Sequence, residues 1–289
     1  AYGLLSGAFT MLTSAATTFS VVPPILKLVK PILNAKPEVR SKQKSVTTLS
    51  GKIEISGVSF RYSDTTPMVI DDLSLKINPG DYVAIVGKSG CGKSTLLRLL
   101  LGFEKPLRGS ISYDNYDITT IDPKSLRSHI GCVMQNTKLF TGTLRSNIIV
   151  SAPYVTDDDV WRAAKMAGIE EDIKKMPMGL NTMVSDSVSG ISGGQKQRIV
   201  IARAIVSNPN ILLFDEATSA LDNYTQKVVA DSLASLNCTR IVVAHQLSTV
   251  RDCDRIIMLD KGKIIEDGSY DELIAQGGEF AKLIKRQQI

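Results

Sequence analysis

One glycine-rich segment has the residue types and spacing needed to bind phosphate. It runs from Gly87 to Ser94, reads GKSGCGKS and fits the pattern GxxxxGK[ST]. A predicted strand (Tyr82–Val86) precedes it and a predicted helix (Thr95–Leu101) follows it, which is the context that the motif requires. Glycines let backbone amides approach phosphate oxygens, Lys93 can reach terminal phosphates and Ser94 can ligate Mg²⁺. We therefore predict a nucleotide-phosphate site here rather than a glycine turn without a ligand.

A second segment delivers two carboxylates to the end of a buried strand. Four apolar residues, Ile211–Phe214, are followed by Asp215 and Glu216. Ligands of open α/β sheets bind at the carboxyl edge, where such residues lie. Asp215 can hold Mg²⁺ through water and Glu216 can deprotonate an attacking water, as phosphoryl transfer to water requires. Taken alone the pair could be a solvated strand end, and the upstream glycine-rich segment favours the catalytic interpretation.

The elements that must position these residues indicate a mixed α/β fold. Short apolar or alternating runs predict strands at 53–55, 58–62, 73–77, 82–86, 211–214, 241–244 and 255–259. The last three alternate with helical stretches, the rhythm of a parallel sheet. Periodicity between 143 and 204 is mostly helical, which predicts a helical insertion in the core.

With these motifs in place, the chain resembles the nucleotide-binding domain of ABC transporters from about Gly51 to the C-terminus. The matching residues occur in family order: Tyr62 for the aromatic that stacks on adenine, Gln135 for the Q-loop, Ser192–Gln195 (SGGQ) for the signature, 219–222 (SALD) for the D-loop and His245 for the switch histidine. Each has an ordinary structural explanation when taken singly, such as a strand aromatic, a surface glutamine or a helix cap. Their joint occurrence supports the family.

The resemblance implies a fold and the boundaries of its domains. We expect a P-loop NTPase (RecA-like) core with a parallel sheet, an antiparallel β subdomain and an inserted α-helical subdomain at roughly 137–204. Residues 51–289 would form the ATP-binding domain. Residues 1–50 would hold the end of the last transmembrane helix and a basic linker.

The resemblance also implies a residue set for ATP and Mg²⁺. The implied catalytic residues are Glu216, His245, Gln135 and Lys93, and the implied metal ligands are Ser94, Gln135 and Asp215. The implied nucleotide-binding residues are Tyr62, Gly87, Ser89, Gly90, Cys91, Gly92, Lys93, Ser94, Thr95, Ser192, Gly193, Gly194, Gln195 and Asp222. GTP stays open, because Tyr62 would stack on any purine.

Some residues depart from the family pattern. Residues 185–188 (SDSV) replace Gly-Glu-x-Gly ahead of the signature, Ile191 replaces its usual leucine and Gln246 replaces the arginine that often follows the switch histidine. The first change lies in the segment thought to sense the transmembrane domain, so the coupling between the ATPase domain and the transmembrane domain is the property that it would affect. No ATP-contacting position is lost.

The N-terminal segment suggests proximity to a membrane. Residues 1–26 carry no charge, and a cluster of Lys and Arg follows within the next 20 residues. That order places the basic side in the cytoplasm. A small apolar helix packed on the body is the alternative, because Gly, Ser, Thr and Pro23-Pro24 make this a marginal span.

Composition narrows the classes further. The net charge of +5 comes from residues 1–50, and the rest of the chain is balanced, so nothing supports a nucleic-acid-binding face. Two histidines and four scattered cysteines, with no CxxC pair, argue against zinc and against a disulfide framework. We expect Cys91 to favour the thiolate, because it lies beside Lys93 and near a helix N-terminus.

We expect an ATP-hydrolysing domain of a membrane exporter, on the cytoplasmic side of the cell membrane. Its partners would be a transmembrane domain of the same chain and a second nucleotide-binding domain, identical or closely related. Each phosphate-binding loop would face Ser192 and Gly194 of the other chain. Segments 98–104, 176–179 and 222–223 resemble the bacteriocin exporters associated with nitrile-hydratase-type leader peptides, which would make the cargo a peptide. The alternatives are a soluble ABC-type ATPase acting on nucleic acid or ribosomes, and a module that binds nucleotide without hydrolysis.

Overall fold

The computed structural model describes residues 2–35, 43–135, 137–185, 190–215, 221–244 and 247–287. It divides the chain into two compact units, residues 1–41 and 42–289. The described strands are, in chain order, β1 (Ile53–Phe60), β2 (Ile70–Ile77), β3 (Tyr82–Gly87), β4 (Arg108–Tyr113), β5 (Tyr116–Asp117), β6 (Ile130–Val133), β7 (Gly142–Thr143), β8 (Met183–Val184), β9 (Ile211–Asp215), β10 (Thr239–Val243), β11 (Arg255–Asp260) and β12 (Lys263–Gly268). The described helices are α1 (Tyr2–Leu33), α2 (Lys93–Leu100), α3 (Pro123–Ser128), α4 (Leu144–Ile148), α5 (Asp157–Met166), α6 (Glu170–Lys175), α7 (Gly193–Ile205), α8 (Asn223–Ala234), α9 (Leu247–Arg251), α10 (Tyr270–Gln276) and α11 (Glu279–Gln287), with a 3₁₀ turn at Gly179–Asn181.

The first unit contains α1, a helix of 32 residues with no buried side chain. By length and composition it is long and apolar enough to cross a membrane. Several of its hydroxyl groups are satisfied within the helix: Thr10 and Thr13, for example, donate to the carbonyls of Ser6 and Phe9 at 2.9 and 3.0 Å. Such local bonds remove the cost of placing polar side chains in an apolar helix.

The main sheet of the second unit has the order β12-β11-β3-β10-β9-β6. Its five strands from β11 to β6 run parallel, and β12 pairs antiparallel at one edge. Val243 is in register with both Ile85 and Asp215, so these strands end together. The predicted parallel α/β sheet is confirmed, and its carboxyl ends form a single edge.

The sheet is buried on both faces. Alternate residues of β3 divide between the two cores: Val83 and Ile85 face the antiparallel sheet and α2, and Ala84 and Val86 face the helical side. The apolar residues of β9, β10 and β11 divide in the same way. Near-continuous apolar runs are what a parallel sheet covered on both faces requires.

A four-stranded antiparallel sheet, of order β2-β1-β4-β5, forms the predicted antiparallel subdomain. The sequence predicted two strands where β1 is one. The register of β1 shifts between Ile55 and Val58, and Gly57 within this irregularity has a φ of +58°. A bulge therefore interrupts the alternation of apolar residues without ending the strand.

Residues 43–50 pack on the body, although their polar sequence predicts a linker. Lys44 forms an isolated parallel bridge to Ile121. The Val46 amide donates to Ser125 Oγ at 2.8 Å, and Leu49 is buried. These long-range contacts are invisible in a polar segment read by itself.

Helices α4 to α7 form the predicted helical region, and a buried polar network joins its parts. Asn147 on α4 donates through Nδ2 to the carbonyls of Phe140 and Thr143 at 2.9 and 3.0 Å. Its Oδ1 accepts from the Phe140 amide at 2.8 Å and from Arg203 on α7 at 2.9 Å. Burial lowers the pKa of Arg203. Asn147 is almost fully buried, so the hydrogen bonds of its side chain are shielded from water.

We predict that Asn147→Ala lowers the free energy of unfolding by about 2–4 kcal/mol, because the buried Arg203 guanidinium loses one hydrogen bond and the Phe140 amide and carbonyl lose their contacts with the Asn147 side chain. Chemical denaturation of the purified chain measures the change. Asn181→Ala, at an exposed position, is the matched control. Equal stability of the two variants would show that the network contributes nothing.

Candidate nucleotide-binding site

The phosphate-binding loop connects β3 to α2 through positions that only glycine fits. A Cβ on Gly87, which has a φ of +149°, would lie 2.2 Å from the Leu259 carbonyl oxygen. A Cβ on Gly92, at +111°, would lie 2.8 Å from the Val69 carbonyl oxygen. Both glycines are therefore required by backbone conformation and by close approach of neighbouring strands.

The start of α2 offers backbone amides to a ligand. Gly92 is its N-cap residue and supplies no side-chain hydrogen bond. Ser89, Gly90 and Ser94 are exposed around this turn. A helix N-terminus with uncapped amides and positive potential favours an anion.

Lys93 points back into the loop. Its Nζ donates to the carbonyls of Gly87 and Lys88 at 2.9 and 3.0 Å, and the residue is only 6% exposed. These contacts keep the ammonium group inside the turn that the motif forms. An ammonium group in this position is available to neutralise the charge of a phosphate.

Cys91 differs from the expectation that it favours the thiolate. Burial raises the pKa of the Cys91 thiol, and the opposing effect of the Lys93 charge is smaller. Its side chain is 6% exposed, with Sγ 3.9 Å from Lys93 Nζ. The backbone of Cys91 still helps to hold the loop in place, because its carbonyl accepts a hydrogen bond from the Gly262 amide at 3.1 Å.

Tyr62 lies beside the loop, as an adenine-stacking residue must. Its hydroxyl and Thr95 Oγ1, on α2, are 3.1 Å apart. The Phe60 ring packs edge-on against the Tyr62 ring, with centroids separated by 5.0 Å. Tyr62 is 53% exposed, so a ring face remains open to a purine.

The carboxyl edge of the sheet carries Asp215 and Gln135 as well as the loop. Asp215 ends β9 and is buried, whereas Gln135 lies two residues beyond β6 and is exposed. The pKa of Cys132 on β6 is raised by burial and then by the Asp215 charge. Glu216 and His245 follow β9 and β10 in sequence but lie outside the described residues.

The signature segment caps a different helix. Ser192 is the N-cap of α7: its Oγ accepts from the Gln195 amide at 3.2 Å, and Gln195 Oε1 accepts from the Ser192 amide at 3.0 Å. This capping box accounts for the SGGQ pattern as a helix start. Ser192 and Gly193 are exposed, so the same turn also presents backbone amides to solvent.

Asp222 is the only D-loop residue among the predicted site residues, and it caps α8. It accepts from the Thr225 amide and hydroxyl at 2.9 and 2.7 Å, and these bonds lower its pKa. The structure therefore gives Asp222 a helix-capping role. Its predicted contact with nucleotide stays a prediction.

Gly262 supports the loop, although its sequence context does not indicate this role. It has a φ of +78°, and a Cβ there would lie 2.4 Å from the Val69 carbonyl oxygen. Besides holding Cys91, it accepts from the Asp71 amide at 3.1 Å. The Lys261-Gly262 pair is an ordinary turn signal, and nothing in it indicates contact with the phosphate-binding loop.

Comparison with known proteins decides the family. The family model described as "ABC transporter" matches residues 70–219, more than half of the chain. The chain belongs to the ABC transporter family. The predicted ABC ATPase fold, the exporter type of the ATP-binding domain and its ATPase class are confirmed by this match and the relatives below. Membership of a transporter family implies a membrane location.

Similar proteins include exporters and one importer by name. The leukotoxin export ATP-binding protein LtxB of Aggregatibacter actinomycetemcomitans is 41% identical over 84% of this chain and 35% of its own length. The alpha-hemolysin translocation ATP-binding protein HlyB of Escherichia coli O157:H7 is 42% identical over 85% of this chain and 35% of its own. The mycobactin import ATP-binding/permease protein IrtB of Mycolicibacterium thermoresistibile is 41% identical over 84% and 42%.

A solved structure gives the same result for the fold. The ATP-bound structure of a bacterial Atm1-family ABC exporter has a TM-score of 0.85 and 36% identity, and the match covers 93% of this chain and 47% of that one. The chain thus spans less than half the length of each of these proteins.

We predict that N-ethylmaleimide at neutral pH modifies Cys91 about tenfold or more slowly in the native than in the denatured chain, because the raised pKa and burial disfavour the reactive thiolate. Mass spectrometry of the Cys91 peptide measures the rate, and Cys91→Ser should keep ATPase activity. Rapid inactivation that ATP prevents and Cys91→Ser abolishes would restore the thiolate interpretation.

Proposed function

We propose that this domain hydrolyses ATP with Mg²⁺ to drive transport by an exporter-type ABC transporter. The observation that carries the proposal is the shared carboxyl edge. The loop that follows β3 and Asp215, the last residue of β9, lie at the same ends of parallel strands in one sheet. Lys93 and the α2 amides would hold the phosphates, and Tyr62 would stack on adenine. Glu216 would accept the proton of the attacking water, and His245 would act as the switch histidine.

The residues at this edge suit Mg²⁺. Ser94 presents an exposed hydroxyl at the start of α2, Asp215 supplies a carboxylate and Gln135 an amide oxygen. All three are hard oxygen donors, and few of them are needed because Mg²⁺ keeps several waters and binds phosphate oxygens. The ion would supply charge neutralisation on the phosphates.

A complete site would need two chains. The signature turn of α7 presents its amides to solvent from the helical region, whereas the phosphate-binding loop opens at the edge of the sheet. Each turn is an anion site that covers one side of a ligand. We propose that Ser192, Gly193 and Gly194 of one chain close on the ATP bound by its partner, a second copy or a close relative.

The membrane part of the proposal rests on α1 and on family membership. Helix α1 would be the end of the last transmembrane helix, and the residues after it would lead to an ATPase domain at 51–289 on the cytoplasmic side, against which residues 43–50 pack. The Lys and Arg residues that follow the uncharged segment favour this orientation. The transmembrane domain of the same chain would be the partner that ATP binding moves.

Peptide cargo is the finer proposal. It is supported by the resemblance of segments 98–104, 176–179 and 222–223 to bacteriocin exporters. Relatives named for leukotoxin and hemolysin agree with export, whereas one named for mycobactin import does not. A membrane-embedded chain whose ATPase rate rises with a peptide substrate would support it. Stimulation by nucleic acid instead would favour the alternative of an ATPase that acts on nucleic acid or ribosomes.

The two-chain site can be tested by trapping the closed state. Glu216→Gln keeps the shape of the side chain but cannot accept a proton, so we expect ATP and Mg²⁺ to convert the detergent-purified chain from monomer to a stable dimer. Size-exclusion chromatography with light scattering measures the mass.

Adding Ser192→Arg to that chain should abolish the dimer and leave the affinity of the monomer for ATP unchanged. The arginine would occupy the space of the partner's nucleotide. Loss of monomer affinity would place Ser192 at its own chain's nucleotide and contradict the two-chain site.

A further inference from the structure

One carboxylate of the helical region, that of Asp172, contacts the signature turn, which is formed by Ser192–Gln195. Asp172 on α6 accepts a hydrogen bond from Gln195 Nε2 through Oδ1 at 2.8 Å. Its other oxygen, Oδ2, forms an ion pair with Arg198 at 2.8 Å. The Asp172 side chain is 30% exposed and that of Arg198 16%, so both contacts are partly shielded from water.

The contact with Gln195 fixes which end of its amide faces Ser192. Gln195 Oε1 accepts from the Ser192 backbone N–H, while Nε2 donates to Asp172. A carboxylate can only accept, so it selects this orientation of the amide. The reversed amide would set an NH₂ group against the Ser192 N–H and break one half of the capping box.

Arg198 anchors the Asp172 carboxylate, which sets the orientation of the Gln195 amide. Its guanidinium also donates to the Gly168 carbonyl, in the turn between α5 and α6, and to the Gly194 carbonyl at 3.4 Å. The arginine therefore connects the first turn of α7 with the turn that leads into α6. Asp172 is held at both oxygens and has little freedom to rotate away from Gln195.

We propose that Asp172 is a positioning residue for the signature: it sets the Gln195 amide and so orders the Ser192–Gly194 backbone that meets the partner's nucleotide. This inference rests on the proposed two-chain site. Asp172 itself would not touch the nucleotide. Its effect would reach ATP chiefly through Gln195, because the contact of Arg198 with the Gly194 carbonyl is longer, at 3.4 Å.

The test uses the Glu216→Gln chain and the ATP concentration that gives half-maximal dimer. Asp172→Ala should raise this concentration about 5- to 30-fold, since both sites of a dimer lose a charge-assisted hydrogen bond. The monomer's affinity for ATP should change less than twofold. Glu171→Ala is the matched control on the same helix, because Glu171 is 72% exposed and pairs at 3.3 Å with Lys174 of that helix.

A second variant, Gln195→Ala, distinguishes a positioning role of Asp172 from a role in packing α6. If Asp172 acts through Gln195, Asp172→Ala should have less than a twofold effect once Gln195→Ala is present. A merely structural role would give the same shift in both backgrounds and would overturn the inference, as would a shift no larger than that of Glu171→Ala. Absence of an ATP-dependent dimer in the Glu216→Gln parent would instead refute the two-chain site itself.

Discussion

The close approach of Gly87 to β11 is the constraint on which the rest of the structure depends. The loop can leave β3 only because no Cβ meets the Leu259 carbonyl oxygen, which would lie 2.2 Å away. That approach brings the glycine-rich turn over the end of the sheet and aims α2 with its uncapped amides outward. Parallel strands then deliver Asp215 to the same edge, because Val243 is in register with both Ile85 and Asp215. Sheet topology thus assembles phosphate-binding amides and a carboxylate from distant parts of the sequence.

The second half of the proposed site depends on α7, whose two ends have different partners. At its N-terminus the Ser192–Gln195 capping box forms the signature turn. Near its C-terminus Arg203 is bound by Asn147 of α4, and Gly131 of β6 admits the helix because a Cβ there would lie 2.1 Å from the Ala204 carbonyl oxygen. A helix of 13 residues is about 20 Å long, so it fixes the signature at a distance from the sheet edge. The signature is thereby carried rigidly, which a site shared between two chains requires.

Residue spacing predicted the local elements of the site better than it predicted their surroundings. The glycine-rich loop and the strand ending at Asp215 are local patterns, and both lie where the sequence placed them. Residues 43–50, Gly262 and Asp172 were missed because their partners are far away in sequence and their own residue types are ordinary. Cys91 was interpreted wrongly for another reason: its charged neighbour is visible in the sequence, whereas the burial that outweighs this charge and raises the thiol pKa is not.

In the proposed dimer, one ATP site is built from the loop of one chain and the signature of another, and mixing two defective chains tests this arrangement directly. One chain carries Glu216→Gln with Lys93→Ala, and the other carries Glu216→Gln with Ser192→Arg. A mixed dimer then has one site with both changes and one site with neither. The measurement is radiolabelled ATP retained on the dimer after gel filtration. We predict no retention by either chain alone and one ATP per two chains after mixing, whereas no retention after mixing would show that the two chains do not share a site.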